Sequence, residues 1–246
     1  MAERVALVVG AADLGEAVAH RLAADGCEPI LCDPGDPGPA AARIAAARGG
    51  VEPATVRAAL KDPDEFRTVV AAGLRAAGHD AVDVLVYTLL SADALSPRPL
   101  ATLTEAEWHR LAEDPVRHGL TVLQVARELL APRRGRFVLV VPAIALEGAA
   151  DLVPAATAAE TLRALAKSAA RRWAVDGITV NIVTPDVFAY GAEHLRGTDV
   201  DRGEAVLPGP STARDVADAV SLLLTPAAAR LTGTTLIVDG GALMTP

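Results

Sequence analysis

A turn near the N-terminus contains the first residues whose types and spacing suggest a chemical role. Gly10 and Gly15 enclose the sequence Ala-Ala-Asp-Leu, after residues 5–9, a predicted strand, and at the start of residues 14–24, a predicted helix. Glycines in a strand–turn–helix let the backbone approach a phosphate group, and the helix N-terminus then stabilises the anion. Gly10 and Gly15 are therefore candidate phosphate-binding residues.

Asp13 opposes this interpretation, because a carboxylate in the turn would repel a phosphate. Asp13 and Glu16 also have the spacing of a capping box, in which Asp13 would accept hydrogen bonds from amides that a phosphate would otherwise use. The turn is thus either a cofactor loop with an unusual acid or the start of a self-capped helix. We favour the self-capped helix.

The sequence contains no recognisable metal or nucleophile motif. The five histidines do not have metal-ligand spacing, and Pro115 separates His109 from His118. A nucleophile elbow, a P-loop and a paired-cysteine motif are also absent from the sequence. We therefore predict no metal site.

Composition and charge narrow the class of protein. Hydrophobic residues make up 51% and charged residues 22% of the 246 residues, which is typical of a globular chain. The formal net charge of −8 argues against a nucleic-acid partner. We see no targeting segment and no membrane-length apolar run, and we expect a cytoplasmic location. Cys27 and Cys32 would lie about 16 Å apart along one strand, too far for a disulfide.

Strand-like and helical patterns alternate along the chain. The predicted strands are residues 5–9, 29–32, 55–60, 82–87, 137–141, 178–183 and 235–238. The predicted helices are residues 14–24, 40–48, 62–77, 116–130, 155–175 and 213–224, and a further helix is predicted to start at residues 104–107. Asp62-Pro63 and the capping box of Thr104 and Glu107 mark two of the helix starts. This alternation predicts an α/β fold with one parallel sheet covered by helices on both faces.

Four segments resemble the short-chain dehydrogenase/reductase family, in order and at the family's spacing. They are residues 15–26, similar to the family's first helix, residues 83–86, its fourth strand, residues 177–185, its sixth strand and following turn, and residues 231–241, its C-terminal strand. The resemblance covers nearly the whole chain. It implies a single Rossmann-type domain over residues 1–246 and NAD(P)-dependent oxidoreductase chemistry.

The cofactor motifs of the family are only partly present. The family's TGxxxGxG turn is matched by Gly10 and Gly15, but one residue is lost or the first glycine has moved, and Asp13 replaces the middle glycine. Asp33 matches the acid that binds the adenosine ribose, although it is equally well explained as a turn residue before Pro34-Gly35. Ala59 stands at the family's adenine-contacting acid, and Tyr87-Thr88-Leu89-Leu90 at its NNAG motif, where the leucines would crowd the cofactor. The resemblance therefore implies that NAD binding is possible but weakened.

The family's catalytic residues are Asn, Ser, Tyr and Lys, and alignment by spacing places Pro115, Pro142, Ala155 and Ala159 at these positions. Proline and alanine have no side chain that can transfer a proton, so we predict no catalytic residue among them. Five other side chains are candidates to take over a role, although each is expected to be structural or solvated. They are Tyr87, Tyr190, His118, Thr157 and Glu160.

These departures leave three functional hypotheses. The first is a non-catalytic structural or regulatory subunit that pairs with an active short-chain dehydrogenase, through helices 116–130 and 155–175 and the C-terminal strand. A homo-oligomer through the same surfaces is the alternative assembly. The second hypothesis is an NAD(P)-dependent oxidoreductase with relocated catalytic residues. The third is a non-redox cyclase or lyase that uses the old pocket.

Overall fold

The computed structural model describes residues 4–47, 49–88, 90, 92–198 and 205–244, with only the backbone of Ala92 and Glu147. Its strands form one sheet in the order β3-β2-β1-β4-β5-β6-β7, and every neighbouring pair is parallel. The strands are β1 (Arg4–Val9), β2 (Cys27–Asp33), β3 (Ala54–Arg57), β4 (Val84–Tyr87), β5 (Arg136–Val140), β6 (Thr179–Pro185) and β7 (Thr235–Val238).

Helices cover both faces of this sheet. They are α1 (Leu14–Ala24), α2 (Gly38–Ala47), α3 (Pro63–Ala76), α4 (Glu105–Trp108), α5 (Asp114–Leu130), α6 (Ile144–Glu147), α7 (Val153–Trp173) and α8 (Ala213–Leu223). Alternate residues of β1 point to opposite faces, so Leu7 packs with α3, α5 and α7, while Val8 packs with α1, α2 and α8. This confirms the predicted α/β fold with a doubly wound parallel sheet.

Most element positions follow the sequence patterns, and two differ in an informative way. The strand predicted at residues 55–60 ends at Arg57, whose partner Asp33 is the last residue of β2. The short helix α6 was not predicted. The predicted cap at Asp62 is confirmed, since its carboxylate accepts from the amides of Asp64 and Glu65.

The helix before α5 widens into a π-type turn over His109–Glu113, directly ahead of Pro115. Proline has no N–H group and clashes with the carbonyl one turn earlier, so the chain cannot continue as a regular α-helix here. Thr104 and Glu107 form the predicted capping box at the start of α4. Pro115 thus bends the segment that the sequence analysis aligned with the family's catalytic asparagine.

The sequence predicted no membrane span, no metal site and no disulfide, and the described residues bear on each of these expectations. No helix there is long and apolar enough to cross a membrane. No group of three or more His, Cys, Asp or Glu side chains is arranged to hold a metal ion among those residues. Cys27 and Cys32 are both buried and form no disulfide with each other, and burial raises the pKa of the Cys32 thiol to about 12.

Candidate cofactor and active site

The candidate site lies where the strand order reverses. β1 pairs with β2 on one side and β4 on the other, so the segments that follow β1 and β4 diverge at the carboxyl edge of the sheet. In open α/β sheets this divergence creates the crevice in which ligands bind. The residues that follow β1, β4, β5 and β6 therefore decide what the crevice can hold.

The turn after β1 is tighter than the family's pattern. Gly10 follows β1 directly with a φ of 100°, and Gly15 lies in the first turn of α1. Four residues separate these glycines, whereas TGxxxGxG has five between its first and third. A Cβ atom on Gly15 would lie 1.5 Å from the Gly10 carbonyl oxygen. The Gly10 carbonyl therefore packs directly against the start of α1, and the correspondence of Gly10 to the family's first glycine stays a prediction.

Asp13 does not cap α1, so the predicted capping box is wrong. Its φ of 33° and ψ of −87° lie outside the extended region that a capping residue needs, and its side chain makes no cap hydrogen bond. Glu16 instead binds Arg43, with Oε2 2.5 Å from Nη2. The Asp13 side chain is exposed beside the helix start.

Two side chains fix the tight turn. Asp33 accepts a hydrogen bond from the Ala11 amide and another from the Gly35 amide, each at 2.7 Å. The Thr88 hydroxyl donates to the Gly10 carbonyl at 3.0 Å. Asp33 therefore acts as the predicted turn residue and also holds the neighbouring turn, while its proposed ribose contact stays a prediction.

The residues aligned with the catalytic tetrad carry no polar side-chain atoms. Ala155 and Ala159, one helical turn apart on α7, are 1% and 3% exposed. Pro142 is buried just after β5, and Pro115 is half-buried at the start of α5. That these four residues occupy the positions of the family's tetrad stays a prediction.

Apolar side chains fill the crevice on the α7 side. The segments after β4, β5 and β6 and the first turn of α7 contribute to one cluster, which we call the apolar cluster. It comprises Ala94, Leu95, Leu111, Ile144, Leu152, Ala155, Val187, Ala192 and Leu195. Leu90 packs against it, while Leu89, which was expected to crowd the same space, lies outside the described residues.

A cavity of about 330 Å³ remains on the β1 side of the crevice. Asp186, at the end of β6, accepts hydrogen bonds from the amides of Phe188 and Ala189, and so holds the segment that closes this cavity. The lining residues are Gly10, Ala12, Asp13, Leu14, Thr88, Leu90, Leu95, Tyr190, Gly191, Ala192 and His194.

Of the five replacement candidates, only Tyr190 borders the cavity. Tyr87 packs into the main core near Gly119, and burial raises the pKa of both tyrosine hydroxyls. The Tyr190 hydroxyl is buried without a hydrogen-bond partner. His118 is half-buried, and burial is the main cause of its lowered pKa. The charge of Asp114 acts to raise this pKa, and the charge of Lys61 acts to lower it.

The other two candidates on α7 take part in contacts within their own helix. Thr157 provides a main-chain acceptor for the Thr161 hydroxyl, and Glu160 binds Arg163. His194 was missed by the sequence analysis. It reaches the cavity because the segment after β6 folds back, and its Nε2 lies 2.9 Å from the Leu95 carbonyl oxygen.

Comparison with known proteins agrees with this architecture. Residues 10–243 match a family model described as enoyl-(acyl carrier protein) reductase. The chain is 28% identical to the 3-oxoacyl-[acyl-carrier-protein] reductase FabG of Escherichia coli K12, over 98% of both chains. It is 32% identical to cis-4-hydroxycyclohexanecarboxylate dehydrogenase of Sinomonas cyclohexanicum, over 98% of this chain and 96% of that one.

A solved structure also resembles this chain over nearly its whole length. An oxidoreductase of the short-chain dehydrogenase/reductase family from Burkholderia thailandensis superposes with a TM-score of 0.81 at 27% identity, over 99% of this chain and 94% of that one. Together with the family model, which spans most of the chain, these likenesses extend over the sheet, both helical layers and the crevice. The chain belongs to the short-chain dehydrogenase/reductase family of oxidoreductases.

Proposed function

We propose that this chain is a non-catalytic member of its family, a structural or regulatory subunit that pairs with an active short-chain dehydrogenase. The observation that carries the proposal is the burial of Ala155 among apolar side chains, because the alignment by spacing assigns this position to the family's tyrosine. A positioned acid or base contributes roughly 10²- to 10⁴-fold in rate. An alanine at this point supplies none of it.

The turn after β1 supports the same proposal, because it disfavours a dinucleotide. Asp13 places a negative charge at the start of α1, where a pyrophosphate would bind. The Gly10 carbonyl is packed against Gly15, which narrows the approach that the family's glycines leave open. NAD binding is then weakened by charge and by space.

Exposed apolar side chains support assembly with another subunit. Leu120 on α5 is 40% exposed, and small residues such as Ala164 lie on the outer side of α7. All residues of the edge strand β7 are half-buried. Four further exposed apolar residues lie on α8 or along the C-terminal region, namely Leu222, Leu231, Val206 and Met244. We propose that these surfaces contact an active family member, with a homo-oligomer as the alternative.

Co-purification from the native host tests the pairing directly. The tagged chain should retain a second short-chain dehydrogenase at a fixed ratio, and Leu120→Arg should release it if α5 forms the contact. The matched control is Val51→Arg, because Val51 is an exposed apolar residue before β3 and lies outside the proposed contact surfaces. Recovery of a lone homo-oligomer without any dehydrogenase would contradict the heteromeric proposal.

Calorimetry tests the cofactor part. Titration with NAD, NADH, NADP and NADPH at millimolar concentration should give no binding heat for the isolated chain. Stoichiometric binding together with turnover of an alcohol or ketone would instead favour the second hypothesis.

That second candidate, an NAD(P)-dependent oxidoreductase with relocated groups, is favoured by the dehydrogenase and reductase relatives that match nearly the whole chain. Tyr190, at the cavity wall, is the tyrosine best placed to act in it. Tyr190→Phe should then abolish turnover while leaving cofactor binding unchanged. The third hypothesis, a non-redox enzyme, requires a substrate space that the apolar cluster occupies.

A further inference from the structure

The cavity beside the β1–α1 turn differs in its polar groups from a phosphate site. None of its described lining residues is lysine or arginine, and its one carboxylate belongs to Asp13. The ionised pyrophosphate of a dinucleotide has only acceptor oxygens, so its site needs donors or positive charge. The described side chains around this cavity include no lysine or arginine and few hydrogen-bond donors.

Three side chains that line the cavity can accept hydrogen bonds. His194 Nε2 lies 2.9 Å from the Leu95 carbonyl oxygen, so that nitrogen carries the proton and, in the neutral ring, Nδ1 is left as an acceptor. The Thr88 hydroxyl donates its hydrogen to the Gly10 carbonyl, and its oxygen can still accept a hydrogen bond. With the Asp13 carboxylate, these groups match a ligand that donates hydrogen bonds.

Charge points the same way. The N-terminus of α1 carries about +0.5 elementary charge from aligned peptide dipoles, which favours an anion, but the carboxylate of Asp13 carries a full negative charge at the same place. Arg43 also interacts with the charge of Asp13, yet its guanidinium hydrogen bonds go to Glu16. The described side chains that line the cavity thus include one carboxylate and no lysine or arginine to balance it.

The cavity is also compact. Its volume of about 330 Å³ is at the lower end of the range for small-molecule pockets, roughly 300–1,000 Å³. A ring-sized molecule fits this space, whereas a dinucleotide would need the adjoining volume that the apolar cluster fills. Tyr190, whose hydroxyl has no partner, forms part of the wall.

We propose that this cavity binds a compact ligand that carries a cationic N–H donor, such as an ammonium or amidine group, with Asp13 as its counter-ion. The proposal rests on the proposed function in one respect, namely that a dinucleotide is not the occupant. Asp13 is then the residue that changed the specificity of the crevice from phosphate to cation.

Three probes of the same shape and different charge test the proposal on the unmodified chain. They are benzamidine, benzamide and benzoate, and binding is followed by ligand-observed NMR and calorimetry. We expect affinity to fall in the order benzamidine, benzamide, benzoate. Benzoate binding as well as benzamidine, or no benzamidine binding at millimolar concentration, would overturn the proposal.

Two variants locate the effect. Asp13→Asn removes the charge and should weaken benzamidine about tenfold while leaving benzamide unchanged. Glu16→Gln is the matched control, because Glu16 is bound by Arg43 and does not line the cavity. Equal losses in both variants would show a general charge effect and not a site at Asp13, which would also overturn the proposal.

A parallel NADH titration separates this proposal from the proposed function. Tight NADH binding that displaces benzamidine would contradict both the non-catalytic role and the ligand class. Failure of all three probes with no NADH binding would overturn the ligand proposal alone and leave the non-catalytic role standing.

Discussion

The two sides of the crevice at the carboxyl edge of the sheet have opposite character. On the β1 side, Asp33 and Thr88 hold a tight polar turn by hydrogen bonds, and a cavity remains open beside it. On the α7 side, the apolar cluster fills the space and Ala155 belongs to it. The α7 side is thus packed as core, whereas the β1 side keeps an open cavity. Two sides of one crevice can therefore differ in how much ligand space they leave.

The largest expected effect comes from placing on α7 the tyrosine and lysine that the alignment by spacing assigns to residues 155 and 159. The double variant Ala155→Tyr, Ala159→Lys should lose at least about 3 kcal/mol of unfolding free energy, because overpacking costs about 1–3 kcal/mol and an unpaired buried ammonium costs several more. Both positions are almost fully buried. Urea unfolding measures the loss, and an NADPH-linked assay should show no gain of activity.

Ala164→Lys is the matched control, since Ala164 lies on the same helix and is exposed. Its effect should stay within about 0.5 kcal/mol. A stable double variant that transfers hydride would mean that the α7 side is still an active site in form, and the contrast between the two sides would disappear.

A smaller effect is expected on the β1 side. Asp33→Ala removes the acceptor of the Ala11 and Gly35 amides, and hydrogen bonds to a charged group contribute about 1.5–3 kcal/mol. We expect a loss of about 2 kcal/mol in urea unfolding, with faster hydrogen exchange at the buried Ala11 amide.

Asp36→Ala provides the comparison, because the exposed Asp36 side chain accepts from the Gly38 amide at 3.0 Å, two residues along the same turn. It should change stability by less than about 1 kcal/mol. Equal losses in the two aspartate variants would mean that the hydrogen bond to Ala11 does not hold the turn.

The fold was predictable from sequence because its signals are local and repeated. The helix at residues 14–24 and the strand at residues 235–238 have the predicted bounds, since apolar periodicity reports burial directly. The strand predicted to reach residue 60 shows the limit. Ala58 and Leu60 are buried as the pattern requires, and the Ala58 amide still donates to the Asp33 carbonyl at 3.0 Å, but β2 ends at Asp33 and the paired strand does not continue to residue 60.

The site was less predictable because its geometry depends on distant residues. Asp13 and Glu16 have the spacing of a capping box, yet the backbone of Asp13 follows from the contact of Gly10 with Gly15 and from the bond of Ala11 to Asp33, 22 residues away. His194 reaches the cavity only because its segment folds back after β6. Spacing along the chain contains neither fact.

The smallest expected effect is the pH dependence of the unfolding free energy. No titratable side chain belongs to the apolar cluster as described, so we expect this dependence to come from histidines outside the cluster. Hydrogen bonding to Glu113 raises the pKa of His109 above 6.5, so its contribution to stability is full below pH 6.5 and is lost as the pH rises through the folded-state pKa. Burial lowers the pKa of His118 below 6.5, so its contribution is full above pH 6.5 and is lost as the pH falls through the folded-state pKa.

These two contributions oppose each other, and we expect a shallow dependence of unfolding free energy on pH between about 5 and 8. NMR titration of the histidine C2 protons should give a pKa above 6.5 for His109 and below it for His118. His109→Gln should leave a stability that only rises with pH across this interval, because the contribution of His118 then stands alone. A steep dependence that persists in variants of both histidines would require another titrating group, and the crevice would be the first place to search for it.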